Sequence, residues 1–211
     1  MPTLTRTEVR SSHLRAFTVD RTRVALVPDQ AVLLAGDRVT VSVRVGAGQR
    51  LDLIEPGGTV AYAMRGGEAR WDVRIELEAG GCLVWRGEPF VVADGADVLR
   101  TTTVDLAPGA GAVLRETLVL GRTGEPGGRL RTRTEVCRDG APVLVEELDP
   151  PLGLGRWRVV DQVLELGGTG GQEDRATDVM VLESGDRLQR WLGDELHRSP
   201  LGPQTSSPSP E

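Results

Sequence analysis

This 211-residue sequence predicts an all-β fold: an elongated, β-helix-like stack of repeated two-strand units with a short C-terminal helix. Three observations carry that expectation. The segments Val39–Glu55, Trp71–Gly87 and Val98–Glu116 each read as an alternating strand, a glycine turn and a second alternating strand. Aligning the turn glycines Gly48, Gly80 and Gly109 also aligns Val45, Leu77 and Leu106 three residues before them. The spacing is about 30 residues, and self-similarity at such a period is the mark of stacked repeat architectures.

The elements follow in order. Residues 1–35 open polar and become strand-like at Arg23–Val27 and Ala31–Leu34. The three repeats fill 36–122. Within them Val39, Val41, Val43 and Val45 face one way, with Thr40, Ser42 and Arg44 opposite. Trp71, Val73, Ile75 and Leu77 do the same against Asp72, Arg74 and Glu76. Period-two patterning with one apolar side predicts sheets with one solvated face. A fourth unit runs Arg129–Cys137, an Asp139–Gly140 turn, then Pro142–Leu148, and Asp-Gly between alternating runs is a hairpin signal. After Pro150 and Pro151, Arg158–Leu166 and Thr177–Glu183 read as two more strands around a flexible GGTGGQ segment. Over Gly185–His197 the spacing of Leu188, Trp191, Leu192 and Leu196 predicts a helix, with Ser184 or Asp186 placed to cap it. Its apolar stripe would pack on its own sheet or, alternatively, enter a partner's groove with Trp191 as anchor. Residues 1–198 are expected to form one β domain and the Pro/Ser-rich 199–211 a disordered tail.

Composition narrows the function. A net charge of −6 argues against nucleic-acid binding, which requires a basic patch. All 25 basic residues are arginine, a side chain suited to protein interfaces. The longest apolar runs, such as Ala31–Ala35, fall far below the ~20 residues of a membrane helix. The N-terminal MPTLTRTEVR lacks the apolar stretch of a secretory signal. Two distant cysteines, Cys82 and Cys137, are expected as free thiols, and a cytoplasmic, membrane-independent protein is the resulting expectation.

Catalytic constellations are hard to assemble. His13 and His197 are the only histidines, one near each end, and no CxxC or HxxxH pair is present. The glycine-rich 167–177 cannot be a phosphate loop in a chain without lysine. Carboxylates are more informative. Glu55 and Glu116 each lie seven residues after a turn glycine and continue the apolar side of their strands, at the level where the second repeat has Gly87, followed by Glu88. A buried carboxylate is costly unless it is paired, hydrogen-bonded or cation-bound. Stacking would place Glu55 and Glu116 in an acidic interior row; alternatively each strand ends there and the acid reaches water, as Pro56 suggests for Glu55.

The block Leu120–Gly140 (LGRTGEPGGRLRTRTEVCRDG) resembles the UreD, or UreH, family of urease accessory proteins. So does Asp94–Ala110 (DGADVLRTTTVDLAPGA), taken with the preceding Trp85. The similarity covers roughly 31–166. The family's Thr-Gln-Ala-Ala-Thr-Lys-Val-Tyr stretch corresponds to Ile54–Tyr62, which keeps Thr59 and Tyr62, so the chain resembles a short and divergent member. The resemblance implies a cytoplasmic, non-enzymatic maturation factor of elongated β fold. It implies binding to apo-urease and, with the partners UreF and the GTPase UreG, delivery of nickel to the urease active site. On that reading Thr59, Tyr62 and Trp191 are candidate partner contacts, and no cofactor is bound permanently. Ni²⁺ would pass transiently, with Glu55, Glu116, Glu88 and Asp94 as candidate ligands along an interior route. Two rival readings remain: a carbohydrate-active enzyme using two carboxylates on one face, and a general interaction module unrelated to urease.

Overall fold

The computed structural model describes residues 7–30, 32–150, 154–168 and 178–202. Two short strands the polar N-terminal sequence did not announce, β1 (Glu8–Ser11) and β2 (Leu14–Thr18), come first. The chain then winds as a β-solenoid of about four turns. The first turn comprises β3 (Arg23–Pro28), β4 (Val32–Leu33) and β5 (Arg38–Val45). The second comprises β6 (Arg50–Ile54), β7 (Thr59–Ala61) and β8 (Ala69–Leu77), and the third β9 (Cys82–Arg86), β10 (Phe90–Val92) and β11 (Asp97–Leu106). In the fourth, β12 (Gly111–Leu120) precedes β13 (Arg129–Arg138). Each of the first three turns thus contains a third, short strand at its corner, where the sequence predicts two-strand units.

Stacking is parallel and in register. Val39 pairs with Trp71, Trp71 with Arg100 and Arg100 with Thr132 along the β5–β8–β11–β13 sheet. Leu51 pairs with Leu83 and Leu83 with Ala112 along β6–β9–β12. Val32, Val60, Val91 and Val119 align on the third face. The turn glycines stack too: Gly48 N–H donates to Ala79 O at 2.9 Å and Gly80 N–H to Pro108 O at 3.1 Å. All three have φ between 63° and 70°, a left-handed conformation that side chains resist.

The alternation places one side of every strand inside. Val41, Val43 and Val45 on β5, Ile75 on β8, Leu51, Leu53 and Leu83 on the second face, and Val104 and Leu130 above them are almost fully buried. Both ends are closed by antiparallel strands, which end the repeat. At the first end β1 lies against β5 and β2 against β3. At the other, β14 (Ala141–Leu148) folds back on β13 through the left-handed pair Asp139–Gly140, as the sequence predicts. There β12 is followed in its sheet by β15 (Val159–Leu166), β17 (Arg187–Gly193) and β16 (Asp178–Val181).

The expected C-terminal helix is absent; its residues form strand β17 and a 3₁₀ turn, Leu196–Arg198. Leu188 and Leu192 are four apart, an even number, so they share a face in a strand as in a helix. The open edge of β15 supplied seven backbone partners, and tertiary pairing overrode the helical reading. Ser184 and Asp186 belong to the β16–β17 hairpin turn: Gly185 (φ 82°) donates to Leu182 O, and Leu182 N–H to Asp186 O. Segments 169–177 and 203–211, holding most of the glycine-rich loop and of the expected tail, lie outside the described residues. Cys82 and Cys137 are free thiols.

Because Ile75 stacks between Val43 and Val104 in the middle of the interior, Ile75→Ala is expected to cost about 2–5 kcal/mol of stability. Urea denaturation of the two proteins checks this.

Candidate functional site

Where apolar side chains would be expected to fill the third and fourth turns, the interior carries a cavity of about 70 Å³. The in-register stack builds it. Arg100 occupies an inward position of β11, between Val98 and Thr102, and its register partner one turn below is Trp71. Its Nε donates to Glu116 Oε1 at 2.6 Å, and its guanidinium lies 5.3 Å from the Trp71 ring centroid and 4.9 Å from that of Phe90. The two rings meet edge-on at 5.5 Å. An arginine held between a carboxylate and aromatic faces gains from both the ion pair and the ring quadrupoles.

Glu116 is also the start of a chain of hydrogen bonds that closes the far end. Gln162 Nε2 donates to Glu116 Oε2 at 2.9 Å, and Arg190 donates to Gln162 Oε1 at 2.7 and 2.9 Å. Arg190 Nη2 in turn reaches Glu146 Oε2 on β14 at 2.6 Å, tying the two sheets together. Opposite charges alternate along the chain, so each partly buried ion has a partner.

Glu55 is held differently. Its Oε1 accepts from Trp85 Nε1 at 2.9 Å and its Oε2 from the Glu88 backbone N–H at 3.0 Å. Burial pushes its carboxyl above the ordinary value of 4.5, and those hydrogen bonds and the nearby Arg100 only partly offset this. Glu116 lies within β12 and Glu55 directly after the end of β6, and both are half-buried. The carboxylate of Glu55 serves the architecture: β10 turns a corner at Gly87–Pro89 while β12 runs straight past it, and Glu55 satisfies the Glu88 amide left over.

Among the sequence-predicted site residues, Glu55, Glu88, Glu116 and Thr59 all line the cavity. Glu88 itself is exposed, at the corner. Asp94 lies exposed on the loop between β10 and β11, away from the cavity lining. Tyr62 is half-buried at the end of β7, with the Arg122 guanidinium 5.3 Å from its ring centroid. Trp191 lies on β17 opposite Asp161 of β15, half-buried, its indole so close over Gly193 that a Cβ there would meet it at 2.1 Å. Sequence reading missed Arg100 and Gln162; the parity rule that found Glu116 also places Arg100 inward, two residues after Val98.

On the cavity lining, Trp71 Nε1 is buried and makes no hydrogen bond to any of the described residues. Such a group costs free energy unless a polar partner reaches it. The cavity therefore suits water or another small polar species, and a volume of about 70 Å³ accommodates only a few atoms. Among the described residues no three His, Cys, Asp or Glu side chains converge to hold a metal ion; the acid best placed to do so, Glu116, is engaged by Arg100.

A coil of strands stacked in register over about four turns defines a β-solenoid. Comparison with known proteins gives the family. The chain belongs to the UreD urease accessory protein family, whose model matches residues 12–188. It is 54% identical over 156 residues to urease accessory protein UreD 1 of Streptomyces griseus, covering 70% of this chain and 61% of that protein. It is 39% identical over 182 residues to urease accessory protein UreD of Streptomyces avermitilis, covering 85% of this chain and 71% of that protein. To urease accessory protein UreD 1 of Saccharopolyspora erythraea it is 46% identical over 127 residues, 60% of this chain and 50% of the relative. The match thus spans between half and 71% of these relatives' own lengths. No helix among the described residues is long and apolar enough to cross a membrane.

The raised carboxyl of Glu55 has a consequence for stability. A group that binds its proton more tightly when folded stabilises the fold below its unfolded value and loses that contribution as pH rises through the folded value. The stability of the wild-type protein relative to Glu55→Gln is therefore expected to fall as pH climbs from about 4.5, the ordinary value, toward neutrality. Thermal melts of both proteins across that range check it, and parallel curves would contradict it.

Proposed function

We propose that this chain serves urease maturation as a non-catalytic cytoplasmic scaffold. It brings apo-urease together with UreF and the GTPase UreG, and its interior offers a path for the Ni²⁺ cargo. The observation that carries the reading is the coincidence of two things: membership of the UreD family over residues 12–188, and two carboxylates, Glu55 and Glu116, lining one interior cavity. Carboxylate oxygens are hard, oxygen-donor ligands that bind a divalent ion weakly compared with clustered imidazole and thiolate. Weak binding suits transit, because an ion in passage must leave each position it enters. Glu88, at the corner beside Glu55, is the next position along such a path, and Asp94, exposed on the loop between β10 and β11, a further one; Thr59, Tyr62 and Trp191 are the residues assigned here to partner contact.

The test is the double variant Glu55→Gln, Glu116→Gln, which keeps side-chain shape and removes both charges. In cells expressing urease with its accessory proteins, urease activation is expected to fall by about tenfold, the effect of about 1.4 kcal/mol on the ion's path. Recovery of the complex with UreF is expected to stay at the wild-type level. Activation unchanged in the double variant would overturn the interior path, and failure to recover any complex with UreF from the wild-type chain would overturn the scaffold.

A further inference from the structure

We infer that the interior cavity opens sideways, through the corner between β9 and β10 and beneath the C-terminal segment, with Glu55 at the threshold. Its functional meaning rests on the cation path proposed above; its geometry does not.

Three observations converge on this corner. On the outer face of the β6–β9–β12 sheet lies a second, open cavity of about 520 Å³. It and the interior cavity share the lining residues Glu55, Gly87, Glu88, Arg115 and Thr117, so the wall between them is one strand thick. At that place the ladder is interrupted. Gly87 N–H still donates to Arg115 O at 3.1 Å, and regular pairing resumes at Phe90 with Leu118. Between them Pro89 has no N–H to give, and the Glu88 N–H turns to the Glu55 side chain rather than to β12. What seals the wall is thus a carboxylate and a residue without a side chain. Gly87 has an ordinary φ, and a Cβ there would sit 3.0 Å from Arg115 O and 4.0 Å from Glu55 Oε1, inside the gap.

The third observation is what lies outside. Leu196, His197, Ser199 and Gly202 form the far wall of the outer cavity. That segment is pinned by Ser199 Oγ, which donates to Asp161. Asp161 is fully buried and also accepts from Arg115 Nε at 3.0 Å, Arg115 Nη2 at 2.8 Å and Thr117 Oγ1 at 3.0 Å. One carboxylate thereby fixes both the roof of the outer cavity and the strand that borders the gap. The orphan Trp71 Nε1–H gives a reason for polar species to pass inward, since nothing among the described residues satisfies it.

A buried thiol reports on such an opening. In a chain with Cys82→Ala and Cys137→Ala, Thr102→Cys places a single thiol on the cavity lining. Silver ion serves as the probe: it replaces the thiol proton to give a silver thiolate, and the remaining thiol is titrated after unfolding. The thiol is expected to react in the folded protein. Gly87→Val, which fills the gap, is expected to slow the reaction by about tenfold. So is Ile54→Trp, which fills the outer cavity from its exposed rim and leaves the interior untouched, and which therefore serves if the valine variant fails to fold. Val145→Trp, on the exposed edge of β14, is expected to leave the rate unchanged. A thiol that never reacts, or one that reacts equally fast in both blocking variants, overturns the lateral mouth. Urease activation separates this from the cation path. If Glu55→Gln, Glu116→Gln lowers activation and the blocking variants do not, the path stands and enters elsewhere. If the blocking variants slow silver but neither set of changes lowers activation, the mouth stands and the path falls.

Discussion

The constraint that organises this protein is the in-register stacking of one turn on the next. Once Val39, Trp71, Arg100 and Thr132 are hydrogen-bonded neighbours in four successive strands, their side chains must share one column of interior space. A change of residue type in one turn is then felt by the turns beside it. Arg100 at an inward position would be untenable alone, because a desolvated guanidinium costs several kcal/mol. The stack supplies what it needs: Trp71 directly below, Phe90 across the interior and Glu116 on the facing strand. The cavity exists because this polar column replaces the valines and leucines that fill the first turns.

The two inward acids illustrate how the same position is solved in two ways. Glu116 lies beside a cation and within a continuous chain of donors and acceptors reaching Glu146. Glu55, two turns earlier, has only neutral donors and a more distant arginine, so burial dominates its ionisation. The reason lies in the geometry of the corner. Where β12 passes straight from one face to the next, the turn below it leaves a backbone amide unmatched, and an acceptor from the turn below that fills the place. An apolar residue at 55 would leave the Glu88 N–H without a partner, a cost comparable with losing a hydrogen bond outright.

Much of this was legible in the sequence. Alternation located β5, β6, β8, β9, β11 and β12, and the stacked glycines gave the period. The same parity put Glu55 and Glu116 on the apolar side of their strands, with burial or exposure left open, and the two family-like blocks gave the family. Other parts were hidden for identifiable reasons. β7 and β10 are three residues long, too short for alternation to register, so a three-faced coil reads as a two-strand repeat. β17 carries its leucines at a spacing common to helix and strand, and only the unpaired edge of β15, formed in the tertiary structure, decides between them. Arg100 was within reach, yet a search for acids passes over the base that neutralises them. Asp161 gave no signal at all, because its burial depends on the returning segment around Ser199.

The charge balance of the interior bears on what kind of path it can be. Two acids and no base would make a trap: a divalent ion would bind between them and stay, the behaviour of a storage or catalytic site. With Arg100 beside Glu116, an entering cation meets a carboxylate already half-satisfied, and each approach competes with the guanidinium hydrogen-bonded to it. The attraction is reduced, and so is the barrier to leaving. An accessory protein that hands an ion to another active site, the role proposed above, would need that compromise. In this fold it is written into one column of residues, where the inward parity of β11 sets an arginine against the acid of β12.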